Sequence, residues 1–115
     1  MTFEEYQQAA EATAVYPPIV GLLYCTLQLA SEAGEVSGKL AKALRGDRIE
    51  AFDARAAAGT ATADAMVDEL GDVLWYVAMT AKELGVDLDT VATRNVEKLK
   101  SRAARGTLKG SGDDR

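Results

Sequence analysis

The sequence predicts an all-α domain, a four-helix bundle that is completed by homo-oligomerisation. Apolar residues recur at helical spacing, capping residues and glycine stops stand at the segment ends, and no segment alternates as a strand would. The 115 residues fit one domain, which we place at 1–105, followed by a polar, glycine-rich tail at 106–115. A core of this size is modest, so long apolar stripes favour burial against a second copy.

The first predicted helix lies at the start of the chain. Thr2 and Glu5 have the spacing of a capping box, in which each side chain accepts a hydrogen bond from the other residue's backbone. The helix then runs from about Phe3 to Val15, and the pair Pro17-Pro18 ends it, because proline cannot continue a helical hydrogen-bond ladder.

The second predicted helix is the longest. It begins at Ile19 or Val20, runs to Leu44 and stops at Gly46. Three glycines inside it lower helix propensity by roughly 1 kcal/mol each relative to alanine. We expect them to permit close packing of a neighbouring helix; they are Gly21, Gly34 and Gly38.

Helical periodicity fades between residues 47 and 64, where we expect a mobile loop with one helical turn near 49–55. Asp64 is the expected cap of a third helix over about 65–84, which Gly85 ends. Asp87 or Asp89 then caps a fourth helix that reaches about Ala104.

Composition excludes several classes of function. The net charge of −5 and a pI of about 4.7 argue against a nucleic-acid partner. There is no histidine, so histidine-based triads and histidine metal ligands are impossible. Cys25 is the single cysteine, which rules out an internal disulfide and favours packing in apolar surroundings. No signal peptide or membrane-length apolar run is present, so we expect a cytoplasmic protein with no membrane partner.

Two pairs of carboxylates have helical spacing: Glu32 with Glu35, and Glu69 with Asp72. Each pair projects from one side of its helix, beside an apolar stripe. If the stripes meet in the core, the acidic flanks line one groove, where oxygen ligands suit Mg²⁺ or Mn²⁺. The alternative is that each pair is the solvated rim of an amphipathic helix.

A basic line on the fourth helix supports the first interpretation. Asn95, Lys98 and Arg102 follow one another at helical spacing, and such side chains bind phosphate oxygens. Positive residues near a helix C-terminus also suit the helix dipole, so the line alone is weak.

These residues together resemble the MazG-like family of all-α nucleoside triphosphate pyrophosphohydrolases. The family pattern is E-x-x-E followed by E-x-x-D, and it matches residues 32–35 and 69–72 of this chain. The segment RNVEKLKSR, residues 94–102, is also similar to the family. The spacer over 36–68 is longer than in compact members, with the excess in the predicted loop.

The resemblance implies hydrolysis of a (deoxy)nucleoside triphosphate to the monophosphate and pyrophosphate. It implies that the four acids bind Mg²⁺, with Mn²⁺ as a substitute, and that Glu35 activates water. It implies that the family's helical dimer or tetramer also forms here. Substrate contacts are expected from Lys39, Tyr76, Asn95, Lys98 and Arg102.

Other side chains near the acids have less defined roles at this stage. Tyr24 and Gln28 lie on the acidic side of the second helix and are candidates for base or sugar contact. Trp75 is expected to point away from both the acidic flank and the stripe, toward a subunit interface or the core.

Two other functions remain open from the sequence. A phosphoribosyl-ATP pyrophosphohydrolase uses the same scaffold and acidic helices. A non-catalytic, nucleotide-sensing helical module would keep the acids without turnover.

Overall fold

The computed structural model describes residues 1–46 and 60–109, and this part of the chain is helical throughout its regular structure. The all-α prediction is therefore confirmed there. The helical turn predicted near 49–55 lies outside the described residues. The helices are α1 Phe3–Glu11, α2 Gly21–Arg45, α3 Ala61–Glu83 and α4 Leu88–Ala104, and a 3₁₀ turn at Pro18–Val20 precedes α2.

Helix α1 opens with the predicted capping box but is shorter than predicted. The hydroxyl of Thr2 accepts a hydrogen bond from the Glu5 amide at 3.1 Å, and the Glu5 carboxylate accepts one from the Thr2 amide at 2.7 Å. The helix ends at Glu11, so the predicted end at Val15 is wrong. Thr13 donates its hydroxyl proton to the Ala10 carbonyl at 2.7 Å, and this local bond accompanies the turn well before the prolines.

Helix α2 ends as predicted, where the Gly46 amide caps carbonyls of the last turn. Its internal glycines differ in environment. A Cβ on Gly21 would collide with the carboxylate of Glu83, so this glycine does permit a close approach. A Cβ on Gly34 or Gly38 would have no neighbour within 4 Å, so the expected packing role is not seen at these two positions within the described chain.

Helix α3 begins earlier than predicted. The hydroxyl of Thr60 accepts a hydrogen bond from the Ala63 amide at 3.1 Å, so Thr60 and not Asp64 is the cap. Asp64 lies in the first turn, where its charge still suits the helix dipole. The turn into α4 follows the prediction: Gly85 has a φ of 71°, and Asp87 caps α4 by accepting from the Thr90 amide.

The core lies between α2 and α3, the most extensively packed pair of helices, with α1 laid across α3 and α4. Cys25 is fully buried, as predicted. Gln7 of α1 fixes the α3–α4 turn, because its side-chain amide donates to the Ala78 carbonyl at 3.3 Å and accepts from the Leu88 amide at 2.9 Å. The buried apolar residues of the described chain are small in the main: Ala10, Cys25, Ala43, Ala78, Met79, Ala81 and Leu88.

Much of the predicted apolar stripe is not buried within the chain. On α3, Leu70 and Leu74 are exposed, as is Leu84 directly after the helix, and the core instead takes residues around Met79. On the outer side of α2, Leu23 and Leu27 are each 63% exposed. The radius of gyration is 17.0 Å, compared with about 13 Å for a compact domain of this length. The helices of the described ranges therefore leave wide apolar faces exposed.

Candidate metal site

Three of the four predicted acids meet between α2 and α3. Glu32 of α2 and Glu69 and Asp72 of α3 each offer a carboxylate oxygen, and these oxygens lie within 4.8 Å of one another. We call this group the acid cluster. It forms because each helix carries its acids on the flank beside the packed surface, so the packing of α2 on α3 brings the flanks together.

The carboxylates of the acid cluster repel one another, because the cluster carries more negative than positive charge. The pKa of Glu32 is raised, first because partial burial disfavours its charged form, and further because the carboxylates of Asp72, Glu69 and Glu35 repel it. Glu32 and Glu69 are half-buried and Asp72 is exposed, so the cluster opens to solvent on one side. A cation from solution can therefore reach these oxygens.

Lys39 is a positive group that the structure places at the acid cluster. Its Nζ lies 2.8 Å from Oε1 of Glu69. The pKa of Lys39 is raised, chiefly by this hydrogen bond and then by the charge of Glu69. Lys39 was predicted as a substrate contact. The structure places its ammonium beside Glu69 at the acid cluster, and its contact with substrate stays a prediction.

Tyr76 lies one helical turn from Asp72, and its ring contacts other aromatic side chains beside the acid cluster. Its hydroxyl is 3.4 Å from the hydroxyl of Tyr24 and accepts a hydrogen bond from Nε2 of Gln28 at 3.5 Å. The pKa of Tyr76 is raised, first by the bond to Tyr24, with a smaller contribution from the negative charge of Glu32. The structure thus brings together Tyr76, which was predicted as a substrate contact, with Tyr24 and Gln28, which were predicted to contact the base or sugar.

A cleft of about 350 Å³ opens beside the acids, lined by Thr13, Glu32, Asp72, Trp75 and Tyr76. The indole Nε1 of Trp75 donates to the hydroxyl of Thr13 at 2.8 Å. The Trp75 ring also packs edge-on against Tyr76, with centroids 4.8 Å apart. The expectation that Trp75 points away from the acidic flank is therefore wrong.

Two residues of this cleft were missed by the sequence analysis. Trp75 follows Asp72 by three residues, and that spacing was the signal that could have placed both on one side of α3. Thr13 had no such signal, because the predicted first helix extended across it.

Glu35, the predicted water-activating residue, lies outside the acid cluster. It is exposed on α2, one turn from Glu32, and its charge contributes to the raised pKa values of Glu32 and Lys39. The structure therefore separates the four acids into a group of three and a nearby fourth.

The basic line on α4 is divided in the structure. Asn95 and Lys98 are exposed, whereas Arg102 is buried, with 5% of its surface accessible. In the described ranges no hydrogen bond or ion pair joins Asn95 or Lys98 to the acids. Asn95 and Lys98 are thus not joined to the acid cluster within the described ranges.

The donor set fits a hard divalent cation. Carboxylate oxygens from two helices converge, no histidine or thiolate competes, and the raised pKa of Glu32 shows that positive charge would relieve repulsion. The fold and site together define a class: an all-α protein with a cluster of carboxylates from two helices beside an aromatic cleft.

Comparison with known proteins identifies the family. Residues 22–106 match the model of the MazG nucleotide pyrophosphohydrolase domain. The chain belongs to this family, as the resemblance indicated. It is also similar to the Gene 37 protein of Mycobacterium phage L5, with 44% identity over an alignment of 121 positions that covers all of both chains. No solved structure matches the chain.

Proposed function

We propose that this protein hydrolyses (deoxy)nucleoside triphosphates to the nucleoside monophosphate and pyrophosphate, in dependence on Mg²⁺. The observation that carries the proposal is the acid cluster, in a chain whose family is that of nucleotide pyrophosphohydrolases. Family membership supports this class of hydrolase, and the position of the acid cluster beside a cleft of about 350 Å³ supports binding of a metal-bound nucleotide there.

In this proposal the cluster residues and Glu35 hold Mg²⁺, with Mn²⁺ as a substitute. The bound ion supplies charge neutralisation for the triphosphate and makes water more acidic at the site. The carboxylate of Glu35 is exposed beside the cluster, where it can accept the proton of the attacking water. Lys39 and Tyr76 bind the substrate from within the site.

The α4 residues have a separate role in the proposal. Asn95 and Lys98 are exposed and offer an amide and an ammonium to phosphate oxygens. Arg102 is buried in the single chain, so its predicted contact with phosphate requires a rearrangement or a second subunit. We therefore place the α4 line on the departing pyrophosphate in the assembled protein.

A product assay tests the proposed reaction. The purified protein is incubated with Mg²⁺ and each canonical and several modified (d)NTPs, and the products are separated by ion chromatography. Monophosphate with equimolar pyrophosphate is the expected result, and the panel ranks the bases. Diphosphate with orthophosphate would contradict the proposed position of cleavage.

The same assay separates the two other functions. Turnover of phosphoribosyl-ATP with none of free dNTPs would select a phosphoribosyl-ATP pyrophosphohydrolase. Mg²⁺-dependent nucleotide binding without any product would select a nucleotide-sensing module.

We also propose that the protein works as a homodimer or homotetramer. The exposed apolar residues support this, since they form stripes along two helices. One stripe is Leu23 and Leu27 on α2 with Ile19 in the 3₁₀ turn before it, and the other is Val67, Leu70 and Leu74 on α3. Light scattering should give a mass of two or four chains, and Leu23→Glu with Leu27→Glu should shift it toward the monomer. A wild-type mass of one chain would contradict the proposal.

The biological setting that fits this reaction is control of the nucleotide pool or removal of unwanted nucleotides in the cytoplasm. The similar Gene 37 protein belongs to a phage, and this supports a role in a phage programme as one version of the proposal. None of the helices in the described ranges has the length and apolar character that a bilayer span requires.

A further inference from the structure

The pair formed by Lys39 and Glu69 differs from an ordinary surface ion pair. It joins two helices, and only 31% of the Lys39 side chain and 16% of the Glu69 side chain are exposed. A second Lys–Glu pair in the described ranges, Lys82 with Glu11, also joins two helices at 2.8 Å, and its lysine is similarly exposed at 36%. The difference lies in the carboxylate, because Glu11 is 52% exposed. Lys39 is therefore held against a carboxylate that the proposed metal also needs.

The position of Lys39 on α2 explains how it reaches the cluster. It follows Glu32 by seven residues and Glu35 by four, so all three lie on one side of the helix. From there its side chain crosses to α3 and meets Glu69. The ammonium thus adds one positive charge to a group of carboxylates that repel one another.

We infer that Lys39 is the internal counter-ion of the metal-free acid cluster, and that binding of a divalent cation releases its ammonium from Glu69. This inference rests on the proposed function and adds a regulatory contact to it. The divalent cation and the Lys39 ammonium are both attracted to the carboxylate of Glu69, and they repel each other. Each therefore weakens the binding of the other. The released ammonium is then free for an anion, which couples occupation of the metal site to phosphate binding.

A different role for Lys39 predicts the opposite effect. An ammonium could instead orient Glu69 so that its second oxygen faces the metal, as hydrogen-bonded partners of metal ligands do. Loss of Lys39 would then weaken metal binding. The sign of the change in affinity decides between competition and orientation.

The test is calorimetric titration with MnCl₂ in the absence of nucleotide. We expect Lys39→Met to bind Mn²⁺ about five- to tenfold more tightly than the wild type. Lys39→Arg keeps the charge and should bind as the wild type does. Lys82→Met removes an equally short ion pair at the other end of α3 and should leave the affinity unchanged.

The outcomes separate this inference from the proposed function. If the wild type binds Mn²⁺ and Lys39→Met binds it equally or more weakly, the inference is overturned while the metal site stands. If neither protein binds Mn²⁺, the inference and the proposed function both fail.

A second measurement uses the unaltered protein, so it does not depend on folding of a variant. Lysines are acetylated briefly with an amine-reactive ester, with and without MnCl₂, and modification is quantified by mass spectrometry. Release from Glu69 should raise the modification rate of Lys39 severalfold relative to Lys82. An unchanged or reduced rate at Lys39 would overturn the inference.

Discussion

Helix α3 carries carboxylates in two contrasting environments. Near its C-terminus, Glu83 accepts a hydrogen bond from the hydroxyl of Tyr16 at 2.8 Å and lies against Gly21, which has no side chain. Earlier in the helix, Glu69 and Asp72 meet Glu32 with their oxygens within 4.8 Å of one another.

The two environments differ in how their charge is balanced. Glu83 has a hydroxyl donor, and the nearby side chain of Cys25 is fully buried, so the Glu83 carboxylate is partnered within the chain. The acid cluster gathers three carboxylates around the single ammonium of Lys39 and is open on one side. The carboxylate of Glu83 is matched by a donor from the chain, whereas in our proposal a divalent cation balances the charge of the acid cluster.

The largest expected effect lies at the open site. Glu35→Gln and Asp72→Asn should each reduce turnover at least about 100-fold, because they remove a proton acceptor and a metal ligand. Steady-state assays of pyrophosphate release measure the loss, and circular dichroism should show unchanged helicity. Glu4→Gln, at an exposed carboxylate of α1, is the control and should retain activity. Activity like that of the wild type in either variant would refute the proposed metal site.

The next effect belongs to the contact between Tyr16 and Glu83. Tyr16→Phe removes the hydroxyl that donates to Glu83, and leaving a half-buried carboxylate without this donor should cost about 1 kcal/mol. Urea unfolding measures the change in free energy. Turnover at a temperature where the variant is folded should match the wild type. A selective fall in turnover without loss of stability would mean that the two ends are coupled.

The smallest expected effect is at the acid cluster, where a substitution should raise thermal stability, whereas Tyr16→Phe lowers the free energy of unfolding. The pKa of Glu32 is raised in the folded protein, so folding favours its protonated form. That favourable contribution is complete below the ordinary pKa of about 4.3 and is lost as pH rises through the folded-state value. At pH 7 without metal, Glu32→Gln should therefore raise Tm by about 2 °C.

Two controls accompany the Glu32→Gln measurement. The Tm difference should disappear below about pH 4, where the wild-type carboxyl is protonated. Saturating Mg²⁺ should stabilise the wild type more than the variant, since the variant lacks a ligand. A lower Tm for the metal-free variant at pH 7 would show that Glu32 is balanced by donors, as Glu83 is.

Local signals in the sequence determined the helices. The capping box of Thr2 and Glu5, the cap at Asp87 and the stop at Gly85 are all made between neighbours in the chain, so spacing alone revealed them. The acid pairs on two helices were visible for the same reason. The end of α1 escaped prediction because the Thr13 hydroxyl competes for a backbone carbonyl before the prolines.

Only the tertiary structure decided which side chains share the site. The way α2 packs on α3 places Glu32 with Glu69 and Asp72, leaves Glu35 beside them, and carries Lys39 across to Glu69. These are contacts between residues more than 25 positions apart in the sequence, and they depend on the register of two helices, which helical periodicity does not fix. The sequence by itself determined the acidic side chains and their helical spacing. The packing of α2 on α3 determined which side chains lie beside them.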